Sequence, residues 1–248
     1  MRLVMVSDFA AMSRRAFELV REQVREKPNA VLGLATGSSP LGLYEEMKKD
    51  CQTGGTSYRR IRTFNLDEYV GLGAEHVQSY AYYMRHRLFD GLDIDLANTN
   101  IPNGLATDLN AECHRYHKLL SRTAMKRDLQ ILGIGSNGHI AFNEPGTPPD
   151  SVTRVVTLTD STIADNSRLF DNPDEVPRQA LSMGLSEVLA ARKIVLLVSG
   201  ANKGRALCQM LYGTPGAHCP ASFLQGHEDV TIIADRDATD AMTACKEA

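Results

Sequence analysis

Short apolar runs alternate with amphipathic stretches along most of the chain. Leu3 to Val6 predicts a strand. Ser7 or Asp8 then stands as a helix cap, and Met12, Ala16, Leu19, Val20 and Val24 recur at helical spacing to about Glu26. Val31 to Leu34 predicts a second strand, ending in Thr36-Gly37-Ser38-Ser39-Pro40; Pro40 suits the first turn of a helix that continues to about Lys49. Arg62 to Leu66 predicts a third strand, and Ser79 to Phe89 and Asp108 to Ala124 predict helices. Leu129 to Gly133, Ile194 to Val198 and Val230 to Ala234 are apolar enough to be buried strands. Continuous apolar strands bounded by helices mark a parallel sheet covered on both faces. The expected fold is therefore a doubly wound, mostly parallel α/β sheet, Rossmann-like in plan. No repeat, low-complexity stretch or linker divides it, so residues 1–248 are expected to form one domain. Residues 147–183 are more polar and less regular, as befits a mobile cap over a site.

Composition narrows the function by exclusion. The 27 basic and 30 acidic residues give a formal net charge of −3, which argues against a nucleic-acid partner. No apolar stretch approaches the ~20 residues of a membrane helix. The start lacks a signal-peptide core, because Ser7 and Asp8 interrupt it. Cys51, Cys113, Cys208, Cys219 and Cys245 are scattered and odd in number, as in a reducing, cytoplasmic compartment with free thiols.

In open α/β sheets, ligands bind outside the carboxyl ends of the strands. After the second strand, Thr36-Gly37-Ser38-Ser39 places two hydroxyls and free N–H groups at a helix start, which suits a phosphate; an ordinary capped turn is the alternative. After the third strand come adjacent carboxylates, Asp67 and Glu68. Side chains alternate along a strand, so only one would enter a crevice, as a base or a metal ligand. Read alone, that segment is more simply a solvated acidic loop. After the Leu129 strand, Gly133-Ile134-Gly135-Ser136-Asn137-Gly138 matches the dinucleotide fingerprint G-x-G-x-x-G in letters, but Pro145 arrives too soon for the helix that fingerprint requires. The better reading is a glycine-rich loop close to a small ligand, with His139 and Glu144 beside it. An imidazole next to a carboxylate can shuttle protons at about pH 7. Arg168 and Lys203 could each reach a phosphate, though without context each is a solvated charge. His114 and His117 lie three apart on a predicted helix without an accompanying carboxylate motif, and fit a surface face better than a metal site.

Seven stretches together resemble the glucosamine-6-phosphate deaminases, also called glucosamine-6-phosphate isomerases. They are LGLATGSSPLGLYEEM, TFNLDEYVGL, QSYAYYMRHRLFD, LGIGSNGHIAFNEPG, DNSRLFD, VPRQALSMG and SGANKGRAL, in the family's order and across most of the chain. TGSSP is weak alone; LDEYVGL and the NGHIAFNEPG loop are specific. The resemblance implies a doubly wound α/β fold and ring opening of an amino sugar phosphate. Aldose-to-ketose isomerisation and release of ammonia follow, without metal or organic cofactor. It makes Asp67 the carboxylate that takes the C2 proton and returns it at C1, His139 the imidazole at the ring oxygen, and Glu144 its orienting partner. Asn137 stands where some relatives carry Asp; it can hydrogen-bond but cannot act as a base. Thr36, Gly37, Ser38, Ser39, Arg168 and Lys203 match phosphate-binding positions.

The rivals are galactosamine-6-phosphate deaminase, a 6-phosphogluconolactonase-like hydrolase and a non-enzymatic sugar-phosphate sensor. LDEYVGL with FNEPG favours the glucosamine enzyme, and a sensor would need a DNA-binding module for which no basic segment is present. Some larger relatives are hexamers activated by N-acetylglucosamine 6-phosphate. Here Arg154 is retained as a solvated charge or cap residue, Val156 replaces the lysine of those relatives, and little chain follows the last strand. A monomer or small homo-oligomer without that activation is expected.

Overall fold

The computed structural model describes residues 1–122, 126–159, 162, 163, 167, 170 and 175–247. The chain runs β1 (Arg2–Met5), α1 (Phe9–Glu26), β2 (Val31–Leu34), α2 (Leu41–Gln52), β3 (Arg62–Asn65), β4 (Asp67–Tyr69), α3 (Tyr80–Arg87), β5 (Thr99–Asn100) and α4 (Leu109–Leu120). It continues through β6 (Leu129–Gly133), β7 (Arg154–Thr157), β8 (Gln179–Ser182), α5 (Leu185–Leu189), β9 (Ile194–Val198), α6 (Gly204–Tyr212), β10 (Val230–Ala234) and α7 (Arg236–Glu247). Seven strands form one sheet in the order β1-β10-β9-β6-β2-β3-β5, with parallel pairing throughout.

Strand alternation divides the core between the two faces. In β9, Ile194, Leu196 and Val198 join Tyr116 of α4, Val188 of α5, Leu207 of α6 and Met242 of α7. Val195 and Leu197 join Met12 and Val20 of α1, Tyr44 of α2 and Met84 of α3 on the other face. The expected doubly wound α/β architecture is present.

The predicted helix starts are capped by side chains. Asp8 accepts the Ala11 N–H at 2.8 Å, Ser79 the Tyr82 N–H at 3.0 Å, and Asp108 the Ala111 N–H at 2.9 Å. Of the expected helix to Ala124, Thr123 and Ala124 lie outside the described residues.

The sequence pattern does not reveal the second sheet. Leu66 still bonds the Leu34 carbonyl of the main sheet at 3.2 Å, but the next three residues leave it as β4. β4 pairs antiparallel with β8, and β8 with β7. The segment 147–183, expected to be irregular, thus contributes two strands. Tyr69, Phe142, Val156, Leu158 and Ala180 form a small apolar cluster there.

Candidate active site

The segments leaving β2, β3, β6 and β9 share one cavity of about 900 Å³. It collects Thr36, Gly37, Ser38 and Ser39 after β2, Asp67 in β4, His139 beyond β6 and Lys203 beyond β9. Residues far apart in sequence meet because parallel strands all deliver their carboxyl ends to the same edge.

The Thr36–Ser39 turn is held from behind. Gly37 has φ +88, a conformation that side chains other than glycine's strain to adopt. Tyr44 of α2 donates its hydroxyl to the Ala35 carbonyl at 2.6 Å, and Tyr83 of α3 donates to the Gly37 carbonyl at 2.6 Å. Gly37 and Ser38 remain exposed at the start of α2. Lys203 closes a short 3-10 turn, Ala201–Lys203. That turn is fixed by the buried Asp235, which accepts the Ser199 hydroxyl at 2.5 Å and the Gly200 N–H at 3.1 Å.

Asp67 is 6% exposed and lines the cavity, and Glu68 turns away from it into the protein. Strand alternation has separated the two carboxylates, as the spacing predicts. Burial, and secondarily the charge of Glu68, raise the Asp67 carboxyl from its ordinary value to about 8. Burial alone would raise Glu68 further than the value it reaches, about 7, because three backbone N–H groups favour its ionised form.

The loop after β6 arranges the third group. Gly135 and His139 are joined by a backbone bond of 2.9 Å, and the imidazole folds back over Gly135. A Cβ at Gly135 would stand 2.3 Å from His139 Cε1, so this glycine makes room for the imidazole. His139 Nδ1 lies 3.5 Å from Glu144 Oε2, close enough for charge interaction but long for a hydrogen bond. Asn137 is not on the cavity wall. Its Nδ2 donates to Glu144 Oε2 at 2.7 Å, and its Oδ1 accepts the His139 N–H at 3.2 Å. Thr162 donates to Glu144 Oε1 at 2.6 Å. Burial works to raise the Glu144 carboxyl, but His139, Thr162 and Asn137 together outweigh it and hold the carboxyl at about 2. Glu144 is therefore an anion at any working pH.

Arg168 and its neighbour Asn166 lie outside the described residues. Arg154, expected as a solvated charge or cap residue, opens β7 within the segment 147–183, where it is half-buried rather than solvated and donates to Asn143 Oδ1 at 3.0 Å. Asn143 is fully buried and also donates to the Ile140 and Met183 carbonyls, so Arg154 braces the loop that carries Glu144. His117 of the predicted surface pair bonds Glu187 at 2.7 Å, far along the chain. Among the described residues no cluster of three His, Cys, Asp or Glu could hold a metal, and none of the five cysteines is in a disulfide. Sequence reasoning gave no role to Tyr80, Tyr83, Arg87, Phe142 and Thr162, which also line the cavity. The Tyr80 ring stacks on Phe142 with centroids 6.1 Å apart and planes 10° apart.

A buried carboxylate, an imidazole beside an ionised carboxylate, and an exposed helix-start turn with a lysine give this α/β protein groups that can transfer protons and can hold an anion in one cavity. The chain belongs to the family of glucosamine-6-phosphate isomerases and 6-phosphogluconolactonases, which matches residues 7–233. It is 47% identical over 238 residues to a glucosamine-6-phosphate deaminase of Thermoanaerobacter sp. (strain X514), covering 96% of this chain and 94% of that one. It is 48% identical over 242 residues to a glucosamine-6-phosphate deaminase of Clostridium beijerinckii, covering 98% and 100%. A solved structure described as a monomeric glucosamine-6-phosphate deaminase superposes with TM-score 0.95 at 43% identity, over 97% of this chain and all of that one. A 6-phosphogluconolactonase from Trypanosoma brucei shares the fold at TM-score 0.79 and 18% identity, over 96% of this chain and 97% of that one.

Proposed function

We infer that the protein converts glucosamine 6-phosphate and water to fructose 6-phosphate and ammonium. The observation that carries this reading is the meeting of Asp67, His139, the Thr36–Ser39 turn and Lys203 around one cavity. Near-full-length similarity to proteins named for this reaction supports it.

The sugar phosphate docks with its phosphate on Thr36, Gly37, Ser38, Ser39 and Lys203, with Arg168 as a further ligand. Remote binding energy then fixes the reacting carbons. His139 moves the proton that opens the ring at its oxygen, held in place by Glu144, while Asn137 steadies both. Asp67 takes the proton from C2, leaving an enolamine, and returns it to the adjacent C1 from the same face. The resulting imine at C2 adds water and expels ammonia. Burial strengthens Asp67 as a base, since a carboxyl at about 8 holds an abstracted proton more firmly than an exposed one. The segment 147–183 supplies Thr162 to the cavity wall and acts as its cap.

Ammonium and fructose 6-phosphate formation from glucosamine 6-phosphate tests this directly, with the galactosamine epimer and 6-phosphogluconolactone run in parallel. Faster turnover of the lactone would overturn it.

The phosphate assignment gives a second expectation. Lys203→Ala and Arg168→Ala each raise KM for the sugar phosphate by roughly tenfold or more, from loss of a charge-assisted bond worth about 1.5–3 kcal/mol. Inorganic phosphate inhibits the parent protein competitively and these variants weakly. Equal inhibition of all three would contradict the assignment.

Regulation gives a third. Val156 is buried in the apolar cluster, and Arg154 is bound to Asn143. Neither is placed to receive a phosphate dianion. Rates are therefore expected to depend hyperbolically on substrate, without activation by N-acetylglucosamine 6-phosphate, in a monomer. A sigmoidal curve straightened by that effector, with a hexamer's mass by light scattering, would refute this.

A further inference from the structure

Glu68 adjoins Asp67 in sequence yet has no part in the chemistry above. It is 2% exposed. Its Oε1 accepts the backbone N–H of Tyr69 at 2.8 Å and of Tyr80 at 2.9 Å, and its Oε2 accepts that of Ala81 at 2.8 Å. Tyr80 and Ala81 open α3, where first-turn N–H groups have no partner within the helix. α3 in turn reaches the phosphate turn. Tyr80 lines the same cavity as Thr36, and the Tyr83 hydroxyl donates to the Gly37 carbonyl. One buried carboxylate thus joins the strand of the base to the helix that holds the anion-binding turn.

We propose that Glu68 is a positioning residue for proton transfer at C2, pinning α3 to β4 and so fixing Asp67 relative to the bound phosphate. This rests on the reading of Asp67 as the base. Neither nearest substitute preserves the arrangement. Glutamine has one acceptor oxygen and would turn an amide NH₂ towards an N–H it must accept. Aspartate keeps the charge but is one methylene too short to reach both helical N–H groups.

Glu68 also bears on Asp67 electrostatically. Tyr80 of α3 and Tyr116 of α4 face Asp67, and burial holds both hydroxyls protonated. Burial is the main cause that raises Asp67, and Glu68 is the neighbour whose like charge adds to it. Burial raises the Glu68 carboxyl itself to about 7, and the N–H groups at the start of α3 oppose that rise.

Steady-state deamination from about pH 6 to 9 in Glu68→Gln, Glu68→Asp and Asp67→Asn tests the proposal, since kcat/KM reports ionisations of the free enzyme. In Glu68→Gln the acid limb of kcat/KM is expected to move down by about one pH unit. The plateau kcat falls about tenfold, as for a small misplacement of reacting groups, and inhibition by inorganic phosphate weakens. A limb and kcat at their parent values, even with a lowered Tm, would reduce Glu68 to a helix cap and overturn the proposal. Should Glu68→Gln not fold, Glu68→Asp decides. Its limb should stay in place while kcat falls about tenfold, and a parent-like kcat overturns the proposal. Asp67→Asn separates the two readings. Loss of C2 hydrogen exchange keeps Asp67 as the base whatever Glu68 does. Exchange at the parent rate removes the base itself, and the proposal with it.

Discussion

Asp67→Asn is expected to abolish nearly all turnover and to make the protein more stable. The amide keeps the shape of the side chain but cannot accept the C2 proton, and loss of a general base typically costs about 10²–10⁴-fold. Substrate affinity should change little, because the proposed phosphate contacts lie elsewhere, on the Thr36–Ser39 turn, Lys203 and Arg168. The stability effect follows from linkage. Burial raises the Asp67 carboxyl from 3.8 to about 8 in the folded protein. Such a group contributes most below its unfolded value, and its contribution is lost as pH rises towards the folded value. Near pH 8 the parent protein carries that penalty and the amide does not. Each kcal/mol regained would raise Tm by roughly 2–4 °C in a chain of this size. Hydrogen–deuterium exchange at substrate C2 and a thermal melt at pH 8 check both halves. Exchange at the parent rate removes Asp67 from its role. The same carboxyl shapes the pH profile of the parent: an unprotonated base is required, so kcat/KM should climb with pH until about 8.

His139→Gln should slow turnover of the closed sugar by about 10²–10⁴-fold, the usual contribution of a positioned acid–base group. The imidazole sits over Gly135 and 3.5 Å from Glu144, which its hydrogen-bond partners keep ionised. Glutamine could still hydrogen-bond there but could not exchange a proton at the ring oxygen. A linear amino-alditol phosphate needs no ring opening, so its affinity should be nearly unchanged. The opposite pattern, with linear-inhibitor affinity lost and turnover kept, would give His139 a binding role.

Periodicity is enough for six of the seven strands of the main sheet, since β2, β6, β9 and β10 are apolar throughout, and for α1, whose helical stripe begins at an Asp cap; the two-residue β5 leaves no such signal. Periodicity is not enough for β4, β7 and β8. Each has only three or four residues and is stabilised by pairing with a segment well removed along the chain, as where Asp67 meets Ser182 and Arg154 meets the same residue. Local sequence holds no record of such a partner. Helix α5 leaves no helical period in the sequence either, because five residues are too few to establish one.

At the site, the sequence by itself determined which chemical groups are available: the hydroxyl-bearing turn at the end of β2, the carboxylate pair, and an imidazole with a carboxylate five residues on. Those groups follow from local motifs whose residue types fix hydrogen-bonding and proton-transfer capacity. Tertiary structure decided what each one does. It buried Asp67, which raises that carboxyl from its ordinary value to about 8. It placed Thr162 and Asn137 on Glu144, which keeps that carboxylate charged, and turned Arg154 inwards onto Asn143. It also set Glu68 against the start of α3. Burial and long-range hydrogen bonds shift ionisation and geometry by amounts that depend on what the rest of the chain packs around a residue, and neighbouring residues in sequence do not specify that environment.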